Sequence, residues 1–343
     1  MPVKNTSSTR RDFARTAALA CAAVSTSQAG PSKADAPLKL GLYSITYLGV
    51  WYRGAALTVE EVIDRAKEFG YDGVEIDGKR PHGAPLDYTA YQCRNVLRHA
   101  ETKGIEVYAV AGNNDFSSPI PEQREAQALY LRELIRMTAE LKAKVVRVFL
   151  AWPGVTTIPE GGARYDIAGR IWQESHRDFP EERVWEWCRA GLKEAASFAD
   201  DHGITLALQN HRPVIRGYRD VMRMIKEVGM PNVKACFDAR LEHEMTPEDV
   251  VRATREFGEL QVLSHYGNEY DEVDGKIVPK DDEKLPAQVQ GLLDIGYKGY
   301  LGFELCHPLP HVEGKLAGLD FADKNARLAA QYARQLIAAA TKA

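Results

Sequence analysis

The 343-residue chain has no surplus of basic charge: 44 lysines and arginines face 48 aspartates and glutamates, for a net charge of -4. Tracking a phosphate backbone needs a basic stripe, so nucleic acid is not an expected partner. Beyond its first residues the chain also lacks any apolar run near the roughly 18 to 20 residues of a membrane span, and no span is expected. Cysteine is sparse, five residues without a C-x-x-C pair, so no disulfide framework is indicated. Cys93, Cys188, Cys236 and Cys306 read instead as small buried apolar residues. No G-x-G-x-x-G follows the first strand-like run, which removes the best dinucleotide signature. A G-x-S-x-G elbow is also missing, and with it the case for a serine hydrolase of that kind.

What is present begins with an address. Thr9-Arg10-Arg11-Asp12-Phe13 carries paired arginines, Ala17 to Val24 is a short apolar run, and Ser27-Gln28-Ala29 offers a small-residue cleavage site. Residues 1–36 therefore resemble a twin-arginine export signal, and a periplasmic or exported destination is expected. Arg15 interrupts the apolar stretch, and a disordered basic tail is the bland alternative. Residues 37–343 are left for one large domain.

That remainder alternates strand-like and helix-like segments. Candidate strands are Leu38–Leu48, Tyr71–Asp77, Gly104–Asn113, Lys144–Trp152, Gly203–His211, Val233–Asp238, Leu260–Asn268 and Gly299–Leu305. Helical patterns include Thr58–Phe69, Glu122–Lys142, Glu181–His202, Tyr218–Val228, a helix opening at Thr246-Pro247, Leu285–Ile295 and Asp320–Ala340. Eight such units predict a single (β/α)8 TIM barrel, for which about 250 residues plus loops suffice. The span Pro153–Pro180 reads as a long functional insertion. The acidic stretch Asp271, Asp274, Asp281, Asp282 and Glu283 misses calcium-loop spacing and reads as a solvated excursion.

The last four strand-like runs each end in a metal-ligand type of side chain: Gln209, Asp238, His265 and Glu304. A barrel gathers the carboxyl ends of its strands on one face, so these residues are expected to share one divalent metal. Side chains alternate along a strand, which turns Gln209 inward with Ala207 and His211, Asp238 with Cys236, and Glu304 with Gly302. In the second strand, Glu75 and Asp77 turn inward on the same rule.

The run Leu292–Glu304, with Ile295-Gly296-Tyr297-Lys298-Gly299 and a closing Glu304, resembles the ending of the xylose isomerase-like barrels, the sugar phosphate isomerase/epimerase superfamily. Gly73-Val74-Glu75-Ile76 and Ala207-Leu208-Gln209-Asn210-His211 are similar to that family's second and fifth strands. The resemblance spans about residues 38–340. It implies a divalent cation (Mn, Mg, Co, Zn or Fe) at Gln209, Asp238, His265 and Glu304, a small carbohydrate substrate, and the homodimers common among such barrels. Gln209 departs from the family's usual glutamate and cannot accept a proton as a carboxylate does. Only Glu304 of two opposed carboxylates is retained, so a second acid/base is sought among His211, Glu174 and Glu75.

Substrate contact is expected from Glu75, His82, Trp152 and Arg212. Trp51-Tyr52 and Trp172 are further stacking candidates, with loop packing as the alternative. The expected activity is metal-dependent isomerisation or epimerisation of a non-phosphorylated sugar through an enediolate. Elimination from a 3-keto-sugar or keto-glycoside is the first alternative, and a non-catalytic sugar-binding barrel the second.

Overall fold

The computed structural model describes residues 38–157, 163–281 and 284–342. The expected leader, Gly161-Gly162 and Asp282-Glu283 lie outside the described residues. Eight strands pair in parallel and in chain order: β1 (Lys39–Tyr43), β2 (Gly73–Asp77), β3 (Glu106–Ala111), β4 (Val145–Val148), β5 (Thr205–Gln209), β6 (Val233–Asp238), β7 (Gln261–Tyr266) and β8 (Tyr300–Phe303). β1 pairs with both β2 and β8, which closes the ring as the alternating pattern predicts.

The helices outside it are α1 (Val59–Phe69), α2 (Ala90–Lys103), α3 (Pro121–Glu140), α4 (Tyr165–His176), α5 (Glu181–Asp200), α6 (Tyr218–Val228), α7 (Pro247–Phe257), α8 (Leu285–Asp294) and α9 (Leu319–Lys342). Thr58, Thr89 and Thr246 open α1, α2 and α7 with capping boxes completed by Glu61, Gln92 and Asp249. Each box satisfies two backbone donors that the first helical turn leaves free.

Three stretches differ from the sequence reading. The first strand stops at Tyr43, and Ser44–Tyr47 turns as a 3-10 helix. α2 is given no bounds in that reading, because only Cys93, Val96 and Ala100 of its 14 residues are buried and its apolar stripe is narrow. The insertion is structured: Thr156–Thr157 pairs with Ala163–Arg164, and α4 follows. The acidic excursion after β7 is a hairpin, Tyr270–Val273 against Lys276–Pro279, turning at Asp274-Gly275 where both residues have positive φ.

Two apolar layers result. Leu206, Leu208, Phe237 and Phe303 belong to the layer between strands and helices. Inside the ring, Tyr108, Ala109, Ala207, Cys236, Leu263 and Tyr300 form a separate cluster. The Tyr108 and Tyr300 rings stack there at 4.0 Å. Glycine at positions 41 and 302 makes the stack fit, since a Cβ at either would lie 2.3 Å or 2.8 Å from the Tyr108 hydroxyl. With the amino-terminal half of the ring filled by side chains, the polar residues stand at its carboxyl-terminal end.

Candidate metal centre

Asp238, His265 and Glu304 stand at or just beyond the ends of β6, β7 and β8. Asp238 pairs in register with His265, and His265 with Gly302, so neighbouring strands bring them together. One ligand atom from each lies within 4.8 Å of the others. Asp238 also caps a turn: its Oδ1 accepts from Arg240 N at 3.0 Å, while its buried Oδ2 has no hydrogen-bond partner. His265 donates from Nε2 to Glu75 Oε2 at 2.6 Å, which leaves buried Nδ1 without a partner, 3.6 Å from Glu304 Oε2.

Orphaned buried polar atoms are costly, and two of them converging on a carboxylate fit a cation. The Glu75–His265 bond is the outer support a ligating imidazole usually has, fixing its tautomer and orientation.

The floor holds two arginines that the sequence reading passed over. Arg147 is buried at 2% exposure and donates from Nε to Glu75 Oε1 at 2.7 Å and from Nη1 to Gln209 Oε1 at 2.5 Å. Its guanidinium lies near the Tyr43 and Phe149 rings, 4.7 Å and 5.1 Å from their centroids. Strand alternation was the available signal: Val146 and Val148 face the helices, so Arg147 faces the axis. Arg240 folds back from Asp238, with Nη2 donating to Glu304 Oε1 at 2.5 Å and lying 3.7 Å from Asp238 Oδ2. A Cβ at Gly267 would sit 2.6 Å from Arg240 Nη1, so glycine there clears the guanidinium's path.

Charge sets the protonation states. Burial works to raise the Glu75 pKa, but His265 and Arg147 outweigh it and hold the carboxyl at about 2. Burial also opposes ionisation of Glu304, yet Arg240, His265 and Arg147 bring it below the usual carboxylate value. Asp238 moves the other way, raised by burial that Arg240 does not fully offset. The Cys306 thiol, 3.3 Å from Glu304 Oε1, is pushed up to about 12, by burial first and then by Glu304.

Above this floor is a cavity of about 490 Å³, bordered by Arg147, Gln209 and Glu304 below and by Phe149, Trp152, Tyr165, His211 and Arg212 at the sides. His211 Nδ1 donates to Arg212 O at 2.6 Å, so the lone pair is on Nε2. Burial lowers the His211 pKa to about 4 and keeps the ring neutral. The ring meets Phe149 and Trp152 edge-on, at centroid distances of 4.9 Å and 5.0 Å. Tyr165 on α4 donates to Cys306 O at 2.8 Å and stacks on Trp51 at 5.3 Å, which ties the insertion to the strand ends.

Several expected site residues are placed elsewhere. Glu174 is exposed on α4, paired with Arg177 at 2.8 Å, and does not border the cavity. A helix that shows this face to solvent puts the side chain out of reach of the floor. His82 is a satisfied buried histidine, bonded to Ser44 Oγ at 2.9 Å and Leu57 O at 3.0 Å. Glu75 is fully buried below the cavity and holds Arg147 and His265, not substrate. Gln209 has its carbonyl oxygen engaged by Arg147, the atom that ligation would require. Trp51 and Tyr52 are packed at 1% and 2% exposure, and Trp172 donates to Ser117 Oγ, so the bland reading holds for all three.

The closed parallel barrel thus brings two buried acids and a histidine together at its carboxyl-terminal end, a candidate site for a cation. The family description "Xylose isomerase-like TIM barrel" matches residues 63–332, and the chain belongs to that family. Among curated proteins, fructoselysine 3-epimerase of Shigella flexneri is 22% identical over 260 residues, spanning 73% of this chain and 86% of that protein. Among solved structures, D-psicose 3-epimerase from Clostridium cellulolyticum H10, with D-tagatose, superposes with a TM-score of 0.64 at 19% identity, covering 88% of this chain and 99% of that one. The 3-keto-D-glucoside 4-epimerase of E. coli gives a TM-score of 0.63 at 17% identity, covering 87% and 99%.

Proposed function

We propose that this protein is a sugar epimerase or isomerase that uses a divalent metal and an enediolate, acting on a non-phosphorylated carbohydrate. The observation that carries the reading is the convergence of Asp238 Oδ2 and His265 Nδ1, both buried and without a hydrogen-bond partner, with the Glu304 carboxylate under an open cavity. The epimerase names of the relatives support the reaction class. An ion held by Asp238, His265 and Glu304 would bind adjacent substrate oxygens and lower the cost of the enediolate.

The chain's own groups supply the rest. Glu304 stays ionised and His211 stays neutral, so each has a lone pair for taking the proton alpha to the carbonyl. Because Arg147 can only donate, Gln209 turns its oxygen to it and keeps its NH2 as a donor toward substrate oxygen. Arg147 Nη2, with no partner among the described residues, is a second such donor.

Elimination is a second reading, favoured by Gln209 itself. A neutral amide on β5 removes the second opposed carboxylate that two-face proton transfer uses, whereas elimination needs one base and one acid. Incubation with a ketose in D2O separates the two: deuterium at the carbon next to the carbonyl without loss of a substituent supports epimerisation, and release of a leaving group supports elimination. Elemental mass spectrometry tests the centre. Near-stoichiometric metal is expected in the purified protein, and in Asp238→Ala its loss. A protein that takes up no metal after dialysis against manganese, cobalt and zinc sinks the proposal.

A further inference from the structure

We infer that the cavity takes a sugar bearing a carboxylate, an inference that rests on the sugar-isomerase reading above. The charged residues bordering the cavity are Arg147, Arg212, Arg240 and Glu304, three cations to one anion. Arg147 is matched by Glu75 at 2.7 Å. Arg240 is matched by Glu304 at 2.5 Å, with Asp238 at 3.7 Å. The side chain of Arg212 has no hydrogen bond or ion pair among the described residues.

A divalent cation on Asp238, His265 and Glu304 changes this balance. Two positive charges cancel the two carboxylates, and a ligating histidine is neutral. Arg147 and Glu75 still cancel each other, and Gln209 contributes no charge. Arg240 then loses its counter-charge while Arg212 still has none, so the loaded cavity presents two uncompensated guanidinium groups. Arg212 is exposed and the Arg240 side chain is 31% exposed, so water screens both in the open cavity. A bound substrate that covers them removes that water, and a neutral sugar brings no charge to replace it. A carboxylate does, because a guanidinium fork matches it in two parallel charge-assisted hydrogen bonds. Gln209 decides the outcome: a glutamate in its place would cancel one of the two charges from within.

The test is isothermal titration calorimetry on the purified Mn²⁺-loaded protein with D-glucuronate, D-fructose and D-fructose 6-phosphate. D-glucuronate is expected to bind at least about ten-fold more tightly than D-fructose. That preference is expected to shrink in the metal-free protein, and when ionic strength is raised from about 0.05 M to about 0.5 M. Arg212→Gln is expected to weaken D-glucuronate binding about ten-fold, and Arg212→Lys to recover part of the loss by keeping charge without the fork. Equal affinity for D-fructose and D-glucuronate overturns the inference and leaves the sugar reading intact. Tightest binding by D-fructose 6-phosphate overturns it in favour of a phosphate ligand. Absence of binding by all three sugars overturns the inference and the sugar reading together.

Discussion

Glu75 touches no cavity surface, yet both arms of the floor depend on it, since one oxygen accepts from Arg147 and the other from His265. A glutamine there has one accepting atom and one donating group, so one of these donors must face another donor. Glu75→Gln is therefore expected to lower metal affinity about ten- to hundred-fold, the usual cost of losing a ligand's supporting bond. Chelator competition read by elemental mass spectrometry measures it, and an unchanged affinity removes Glu75 from its assigned role. His211 gives a second residue-scale expectation. Its folded pKa of about 4 lies below the ordinary imidazole value, so the unfolded chain binds the proton more readily. The stabilising share is then complete above about pH 6.5 and lost as pH falls toward 4. Denaturant titrations of wild type and His211→Asn across that window check the sign: the variant's stability should fall less steeply, and parallel curves contradict it. At this scale the sequence was legible where polarity ended a run, as at Asp238, His265 and Glu304. It was silent where polarity hid inside one: Arg147 sits in a run of valines, and only its phase marks it as inward-facing.

At the scale of elements, strands and long helices were legible because their signals are local. The Thr58 and Thr246 starts, the length of α6 and the bounds of β6 follow from capping residues and periodicity. What was not legible depends on partners far along the chain. α4 reads as part of a loop because it contributes few buried residues, Ala168 and His176 among them. Its hold comes from Tyr165 reaching Cys306 and Trp172 reaching Ser117, over sequence separations of 141 and 55. Glu174 was misplaced for the same reason: without the helix there is no face from which to see it pointing outward. Tyr165→Ala removes both the Cys306 bond and the Trp51 stack, so amide exchange in α4 is expected to accelerate while β5 to β8 stay protected. Hydrogen–deuterium exchange mass spectrometry reads this directly, and unchanged exchange in α4 means that Trp172 and the strand pair suffice.

At the scale of the whole molecule, the barrel was legible from eight repeats of one unit, while the destination rests on residues 1–36 alone. The two bear on each other. Residues from three strands make up the proposed metal centre, so the site exists only once the ring has closed, and on that proposal export of an unfolded chain would require metal capture outside the cell. A twin-arginine route carries a folded protein and allows the ion to be loaded before transport. This gives a joint expectation for Arg10→Lys with Arg11→Lys, a change that keeps the leader's charge and alters only the paired-arginine signal. The full-length variant should remain uncleaved in the cytoplasm with its metal content unchanged, whereas the wild-type chain should appear processed outside the inner membrane. Cell fractionation, intact-mass measurement and metal analysis of each fraction decide it. Export of the double variant at the wild-type level would refute the twin-arginine reading, and a metal-free cytoplasmic pool would show that loading follows transport instead of preceding it.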